Sequence, residues 1–239
     1  DAFDFGGTQS IVGGSLTFPI IAVSDDGSEE TRPGECNFIF PFMIASNSHF
    51  IHRCRFIGLR FAGVTIPKGA TIASAHIDLR RDGKSTGGIS TTIVGQDVDD
   101  AAPMTGFFST NPDISSREPT TAAVNWSVPN FTSGNPVQSA NIKTIVQEIV
   151  NRPGWASGQA MFFRFQNGAG SAFSNNRRGA SSGAFRRFRA HESGANAARL
   201  RVTIPGSGAE VEGDDQLIAL RFTNLNIPQG AVLTEAKLT

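Results

Sequence analysis

The chain has 239 residues, with Lys+Arg and Asp+Glu at 21 each, so its formal net charge is zero. A neutral chain has no overall pull on nucleic acid and little self-repulsion to oppose association. No apolar run approaches the ~20 residues of a membrane-spanning helix. Gly is plentiful at 26 and charged residues make up only 18%, a composition that suits many short strands joined by tight turns. There are 19 Phe and no Tyr. Ordinary usage supplies the two in similar numbers, so some Phe positions are expected to be Tyr in the natural protein.

In chain order, the sequence opens at Asp1 without an initiator Met or a signal peptide, which reads as a mature or trimmed product. Strands are expected at Leu16–Val23 and Phe38–Ile44. Between them "SDDGSEE" (Ser24–Glu30) gathers carboxylates in what reads as a solvated turn. Asp25, Asp26 and Glu29 there, and Asp97, Asp99 and Asp100 in "QDVDD", place hard oxygens at spacings that can ligate Ca²⁺, although neither set matches an EF-hand. The expectation is a calcium ion or a cationic partner beside these acids. Cys36 and Cys54, an even and sparse pair without C-x-x-C, suit one disulfide in an oxidising compartment; two buried thiols are the alternative.

Ile57, Leu59 and Phe61 alternate with Gly58 and Arg60, a strand with one buried face. Pro67 fixes φ and Gly69 relieves the turn, so "IPKG" reverses the chain. Ala73, Ala75, Ile77 and Leu79 then alternate with polar residues, as the second strand of a hairpin-like pair. "GKST" (Gly83–Thr86) lacks the upstream Gly of a phosphate-binding loop. Further strands are expected at Ser90–Gly95, Ala122–Ser127, Ala160–Gln166 and Arg199–Ile204.

Ile142, Ile145, Val146, Ile149 and Val150 recur at helical spacing, with Asn141 as N-cap and Pro153-Gly154 as the stop. Asn125-Trp126-Ser127 and Asn130-Phe131-Thr132 are glycosylation sequons, and a buried Trp126 would turn Asn125 outward.

"GASSG" (Gly179–Gly183) fits the nucleophile-elbow pattern but lacks its strand and helix, and His191 is not marked as a triad partner for Ser181. His49, His52, His76 and His191 show no zinc spacing. The chain is therefore read as a non-enzyme. Arg177, Arg178, Arg186, Arg187 and Arg189, interleaved with Phe185 and Phe188, read as a surface strand whose arginines pair with nearby acids. A groove for anionic polysaccharide is the sharper alternative.

"LRFAGVTIPKGA" (Leu59–Ala70) returns as "LRFTNLNIPQGA" (Leu220–Ala231), 161 residues later and without a gap. The second copy reaches Thr239, where the first continues for well over a hundred residues. The expected organisation is an N-terminal extension at 1–14, a complete module at 15–206 and a partial second module at 207–239. "NFIFPFMI" (Asn37–Ile44) is apolar on both faces, and Pro41 argues for a sheet edge. A two-strand unit cannot bury its own apolar face, so cover comes from the chain's own first module, a continuation of the chain or a neighbouring subunit; the expected assembly interface is of the last kind and joins Phe38, Phe40 and Phe42 of one subunit to Ile218, Leu220, Phe222, Ala236 and Leu238 of another.

The phrases "GLRFAGVTIPKGATIASAHI", "DVDDAAPM", "NPDISSREPTTAAVNWSVP", "IVQEIVNRPGWASG" and "ARLRVTI" together resemble a module that recurs in large secreted bacterial surface proteins. The resemblance covers about Ser15 to Pro205 and the start of a second copy. It implies an all-β, jelly-roll-like sandwich with one helix and an extracellular location. It also raises slightly the calcium reading of the acidic loops. The chain is similar, too, to protomers of helical extracellular fibrils found in pond water. The expected function is accordingly a structural subunit that polymerises with copies of itself. A carbohydrate-binding module of a surface adhesin is the alternative, with glycans as partner.

Overall fold

The computed structural model describes residues 14–30, 42–43, 48–52, 55–86, 88–105, 113–129, 136–167 and 185–205. All lie in the first of two units, Asp1–Ser207, the second being Gly208–Thr239. Cys36, Cys54, Phe38, Phe40, Asn130, Arg177, Arg178, Ser181 and the set Ile218, Leu220, Phe222, Ala236 and Leu238 lie outside the described residues.

The fold is all-β. Strand β1 (Gly14–Pro19) leads through a single 3₁₀ turn at Val23–Asp25 to β2 (Asp26–Glu30), followed by β3 (Phe42–Met43), β4 (Ser48–His52) and β5 (Arg55–Phe61). Next come β6 (Ser74–Leu79), β7 (Arg81–Thr86), β8 (Ile89–Gln96), β9 (Pro119–Val128) and β10 (Val137–Gln138). Helix α1 (Lys143–Val150) precedes β11 (Met161–Asn167), β12 (Phe185–Arg189), a 3₁₀ segment at His191–Asn196 and β13 (Arg199–Ile204).

These strands form three antiparallel sheets, ordered β1-β13-β6-β10, β3-β2-β5-β11-β8-β9 and β4-β12-β7. One core joins them. Ile57, Leu59 and Phe61 of β5, with Phe163 and Phe165 of β11, meet Ile77 of β6 and Leu200 and Val202 of β13. Phe188 of β12 and Ile51 of β4 join the same cluster. The six-stranded sheet is buried on its other face as well. There Phe162 packs with Ala101, Met104, Ile114 and Ala160. A strand covered on both faces reads as a continuous apolar run, and "MFFRF" of β11 is buried at each position.

The strands expected around 57–61, 74–79, 90–95, 122–127, 160–166 and 199–204 are present, with small shifts of boundary. Helix α1 lies against β6, β8 and β9, and Ile145, Val146, Ile149 and Val150 are buried as its spacing requires. Gly95 makes the close approach possible, since a methyl there would sit 2.7 Å from Ile145 Cγ2. The N-cap residue is Ile142 rather than Asn141. Asn141 still performs the capping chemistry, its Oδ1 accepting the amides of both Lys143 (3.1 Å) and Ala75 (3.0 Å).

Two expectations are corrected. "SDDGSEE" is not a solvated turn: it contains β2, with Asp25, Asp26, Ser28 and Glu29 all buried. And β5 and β6 are not a hairpin. They are the inner strands of two different sheets, β5 between β2 and β11, β6 between β13 and β10. The link between them is an arch that crosses the sandwich. Its residues Val64, Ile66, Ala70 and Ile72 are buried in the core, which a hairpin loop would leave exposed. The turn in the arch is as expected, with Ala70 N–H donating to Pro67 O (3.1 Å) and Gly69 at a φ of 71°. "GKST" lies in β7, a strand rather than a loop opening a helix.

Candidate functional site: the buried acids and the arch

A buried carboxylate costs several kcal/mol unless it is paired and hydrogen-bonded, so each acid of β2 and its turn poses a question of partners. Asp25 Oδ1 accepts from Arg60 Nη1 at 2.6 Å, and its Oδ2 accepts the Ala22 amide at 3.1 Å. Arg60 also donates from Nε to Ala101 O at 2.6 Å, binding the turn before β2 to the loop after β8. Glu29 Oε2 accepts the amides of Ile114 (2.8 Å) and Ser115 (2.9 Å), while Oε1 accepts the Ser115 hydroxyl. Glu29 thus holds a turn that lies some 85 residues away in sequence.

Arg164 fixes the same turn from the other side. Its Nη1 donates to the carbonyls of Ile114 (3.1 Å), Ser115 (3.0 Å) and Arg117 (3.2 Å). Burial pushes the Arg164 pKa down from its ordinary value, and the Glu29 and Glu118 carboxylates oppose that shift. Arg117 lies over the Phe162 ring, 4.3 Å from its centroid, and pairs with Asp113 at 3.0 Å.

In "QDVDD", Arg152 pairs through Nη1 with Asp97 and through Nε with Asp99 at 2.7 Å. Asp100 Oδ1 accepts the Ala160 amide at 2.8 Å. The expected cation beside the acids is therefore an arginine in both places, Arg60 and Arg152. The acids of the first set are taken up by Arg60, backbone amides and the Ser115 hydroxyl, and those of the second by Arg152 and the Ala160 amide. Among the described residues no group of three or more Asp, Glu, His or Cys is placed to hold a metal ion.

Asp26 is the exception among the acids. Its Oδ2 accepts the His191 amide at 2.7 Å. Its Oδ1 lies 3.5 Å from His49 Nε2, with both side chains fully buried. Among the described residues Asp26 Oδ1, both His49 ring nitrogens and His191 Nδ1 have no hydrogen-bond partner. This pair links β2 of the six-stranded sheet to β4 of the three-stranded sheet, with the Phe188 ring 5.9 Å from the imidazole. The sequence spacing of the histidines did not reveal it, because the two residues meet only through sheet packing.

Two arginines of β12, Arg186 and Arg187, play different parts. Arg187 Nε pairs with Asp82 at 2.9 Å, as the acid-paired reading expects. Arg186 is 2% exposed and donates to the carbonyls of Pro129 (2.6 Å) and Val128 (3.2 Å) at the end of β9. Burial lowers its pKa from the ordinary value. Asn125 is exposed on β9 while Trp126 is buried against Phe165, the orientation that the sequon reading requires. The Asn125 Oδ1 accepts the Thr92 hydroxyl at 2.8 Å.

The repeated phrase has a receiver, which sequence reading missed. Trp155 Nε1 donates to Ile66 O at 3.0 Å, and the Gly69 amide donates to Val150 O at 2.9 Å. Gln147 accepts the Ile72 amide and donates to Ala70 O, both at 2.9 Å. Lys68 Nζ reaches Pro153 O. Thus "IVQEIVNRPGW" cradles "TIPKGATI" almost wholly through main-chain atoms of the arch. Such a cradle reads the backbone path that Pro67 and Gly69 set, and tolerates changes at exposed arch positions. Among the described residues no helix is long and apolar enough to cross a membrane. No family model matches the chain, and no curated protein matches it.

Proposed function

We propose that the chain is a structural, non-catalytic subunit of a secreted extracellular fibre, built on a jelly-roll-like module, that polymerises head-to-tail with copies of itself. The observation that carries this reading is the place of the first arch. Its two strands are the inner strands of two sheets, so an arch needs four flanking strands and a helix to cover it. The second phrase, Ile218–Leu238, repeats the apolar pattern of the first. In this reading the second phrase takes its cover from another copy of the chain.

Phe42 and Met43 support one half of that contact. Their strand, β3, is at the edge of the six-stranded sheet among the described residues. An apolar edge is a template for pairing with another chain, and a head-to-tail contact that does not close propagates as a filament. Among the described residues most of the buried carboxylates are committed to arginines and amides, which supports a structural role.

The test is electron microscopy of the purified full chain, a variant lacking 208–239, and Phe40→Asp or Phe42→Asp variants. Filaments are expected from the full chain, and folded monomers from the deletion and both charge variants. Filaments from the deletion variant would overturn the reading. Monodisperse full-length particles that bind a glycan array would replace it with the carbohydrate-binding alternative.

A further inference from the structure

The two sides of the sheet β1-β13-β6-β10 are finished differently. On the β6 side, Val137 and Gln138 pair with Leu79 and Asp78. Beyond them the Ser139 amide donates to Ile77 O (2.9 Å) and Ser139 Oγ accepts the Ile77 amide (2.9 Å). The Ile142 amide donates to Ala75 O (2.8 Å) and Asn141 Oδ1 accepts the Ala75 amide (3.0 Å). That side is sealed residue by residue.

The β1 side has no such cover among the described residues. The Ile20 amide donates to Ala198 O at 3.2 Å, and Phe18, Leu16 and Gly14 continue this register opposite Leu200, Val202 and Ile204. In an antiparallel ladder the alternate residues turn their amides and carbonyls the other way. Ser15 and Thr17 therefore face outward. Both are exposed, and among the described residues their main-chain groups have no partner. Pro19 holds the next outward position, where a missing N–H costs no ladder bond. Natural sheets guard an open edge with charge, a bulge or proline. Strand β1 carries no charged residue and pairs with β13 without a bulge, and Pro19 guards only its end.

We infer that β1 is a self-association edge, which pairs antiparallel with β1 of a second copy about a two-fold axis at Leu16. In this register Ser15 exchanges both main-chain bonds with the partner's Thr17, and Thr17 exchanges both with the partner's Ser15. Every open group of Ser15 and Thr17 is then satisfied. Centring the pair on Thr17 would instead set Ser15 against the partner's Pro19 and leave the Ser15 carbonyl without a donor. Leu16, half-buried against the core, meets the partner's Leu16 at a non-hydrogen-bonded position, where side chains approach most closely. On the outer face the row His76, Arg201, Thr17 continues into the partner's Ser15 and the partner's Thr203. Arg201, already paired with Asp78, thus faces hydroxyl acceptors across the joint and no like charge. Such a contact uses one patch twice and closes, so it joins copies in pairs and does not itself propagate. It depends on the first unit alone and not on the fibre reading.

The experiment is hydrogen exchange at single-amide resolution on the full chain, over a dilution series from the millimolar to the micromolar range, with mass followed by sedimentation. The Leu16 and Phe18 amides bond to β13 and should be protected at every concentration. Those of Ser15 and Thr17 should gain about tenfold or more protection as dimers form. Thr17→Pro removes an outward donor but no bond to β13, and Thr17→Lys adds the charge that guards natural edges. Both variants should keep Leu16 and Phe18 protected and abolish the dimer together with the protection of Ser15. Free exchange of Ser15 and Thr17 at all concentrations would overturn the inference. So would their protection in the monomer, the sign of a cover within one chain, or dimers that survive both substitutions. Dimers without filaments would leave this inference standing and remove the fibre reading; filaments in which Ser15 and Thr17 exchange freely would do the reverse.

Discussion

Glu29 offers the sharpest test of why a run of acids is buried. Two substitutions separate its charge from its hydrogen bonds. In Glu29→Gln the amide oxygen can take the place of Oε2 and keep both the Ile114 and Ser115 amides, at 2.8 and 2.9 Å in the wild type. The new NH₂ can donate to the Ser115 hydroxyl, which can reverse its role and accept. What is lost is charge: two charge-assisted bonds become neutral ones of about half the strength, and buried Arg164 loses an opposing carboxylate. A cost of about 2–3 kcal/mol follows. In Glu29→Ala two buried amides lose their acceptor, at about 1–3 kcal/mol each, and Arg164 loses the same charge. The expected cost is about 4–6 kcal/mol, a large part of the stability of an ordinary domain. Urea unfolding followed by the fluorescence of Trp126 and Trp155 measures both, since each indole is buried in this unit. The double variant Glu29→Gln/Arg164→Met should cost less than the sum of its single changes, because it removes both charges together. Equal costs for Gln and Ala, or costs below about 1 kcal/mol for both, would refute the argument. Calcium should leave the wild-type midpoint in place; a shift with calcium that Glu29→Gln abolishes would restore the metal reading.

Three further outcomes are expected. Gly95→Ala drives a methyl group against Ile145 and Ile149; overpacking outweighs the gain from removing a strand glycine, for a net loss of about 1–2 kcal/mol that Ile145→Val partly restores, read as the urea midpoint. Trp155→Phe removes the donor to the Ile66 carbonyl and part of a buried ring, and should cost about 2–4 kcal/mol, with amide exchange accelerating first over 64–72; uniform acceleration across the unit would argue against a local cradle. The Cys36–Cys54 disulfide proposed from sequence should appear as a two-proton mass change on reduction and contribute about 3 kcal/mol; two thiols in unreduced protein titrated with a thiol reagent would remove it.

Much of the fold was legible because its signals are local. The alternation in β5, β6 and β13 and the helical spacing of α1 appear within a few residues, and each is buried on the face the pattern names; β5, read as having one buried face, is covered on the other as well, where Gly58 lies against Phe162 and Ile114. Strand β2 was not legible, because "DGSEE" has no apolar residue to reveal a buried face. What buries it comes from far along the chain: Arg60 for Asp25, the 114–115 turn for Glu29, the His191 amide for Asp26. Long-range satisfaction of polar groups leaves no period in the sequence. The arch was misread for a different reason. "IPKG" correctly marked a turn, but Val64, Ile66 and Ile72 on either side were apolar residues with no place in a hairpin loop, and that signal was available. The Gln147–Trp155 cradle shows only once the helix and arch are packed, since Gln147 and Trp155 read in sequence as an ordinary helix residue and an ordinary core aromatic.

The distribution of charge in this unit bears on the proposed assembly. Acids and arginines here join segments that are distant in sequence: Arg60 to Asp25, Arg152 to Asp97 and Asp99, Arg201 to Asp78, Arg187 to Asp82. Pairs spent on joining a fold to itself present little field to a neighbour, and the net charge of zero leaves little repulsion between copies. Electrostatic complementarity would otherwise be the usual means of fixing partner and register. With it largely internal among the described residues, recognition between copies in the proposed fibre would fall to main-chain geometry and shape, the same terms by which the cradle of α1 and Trp155 holds the first arch.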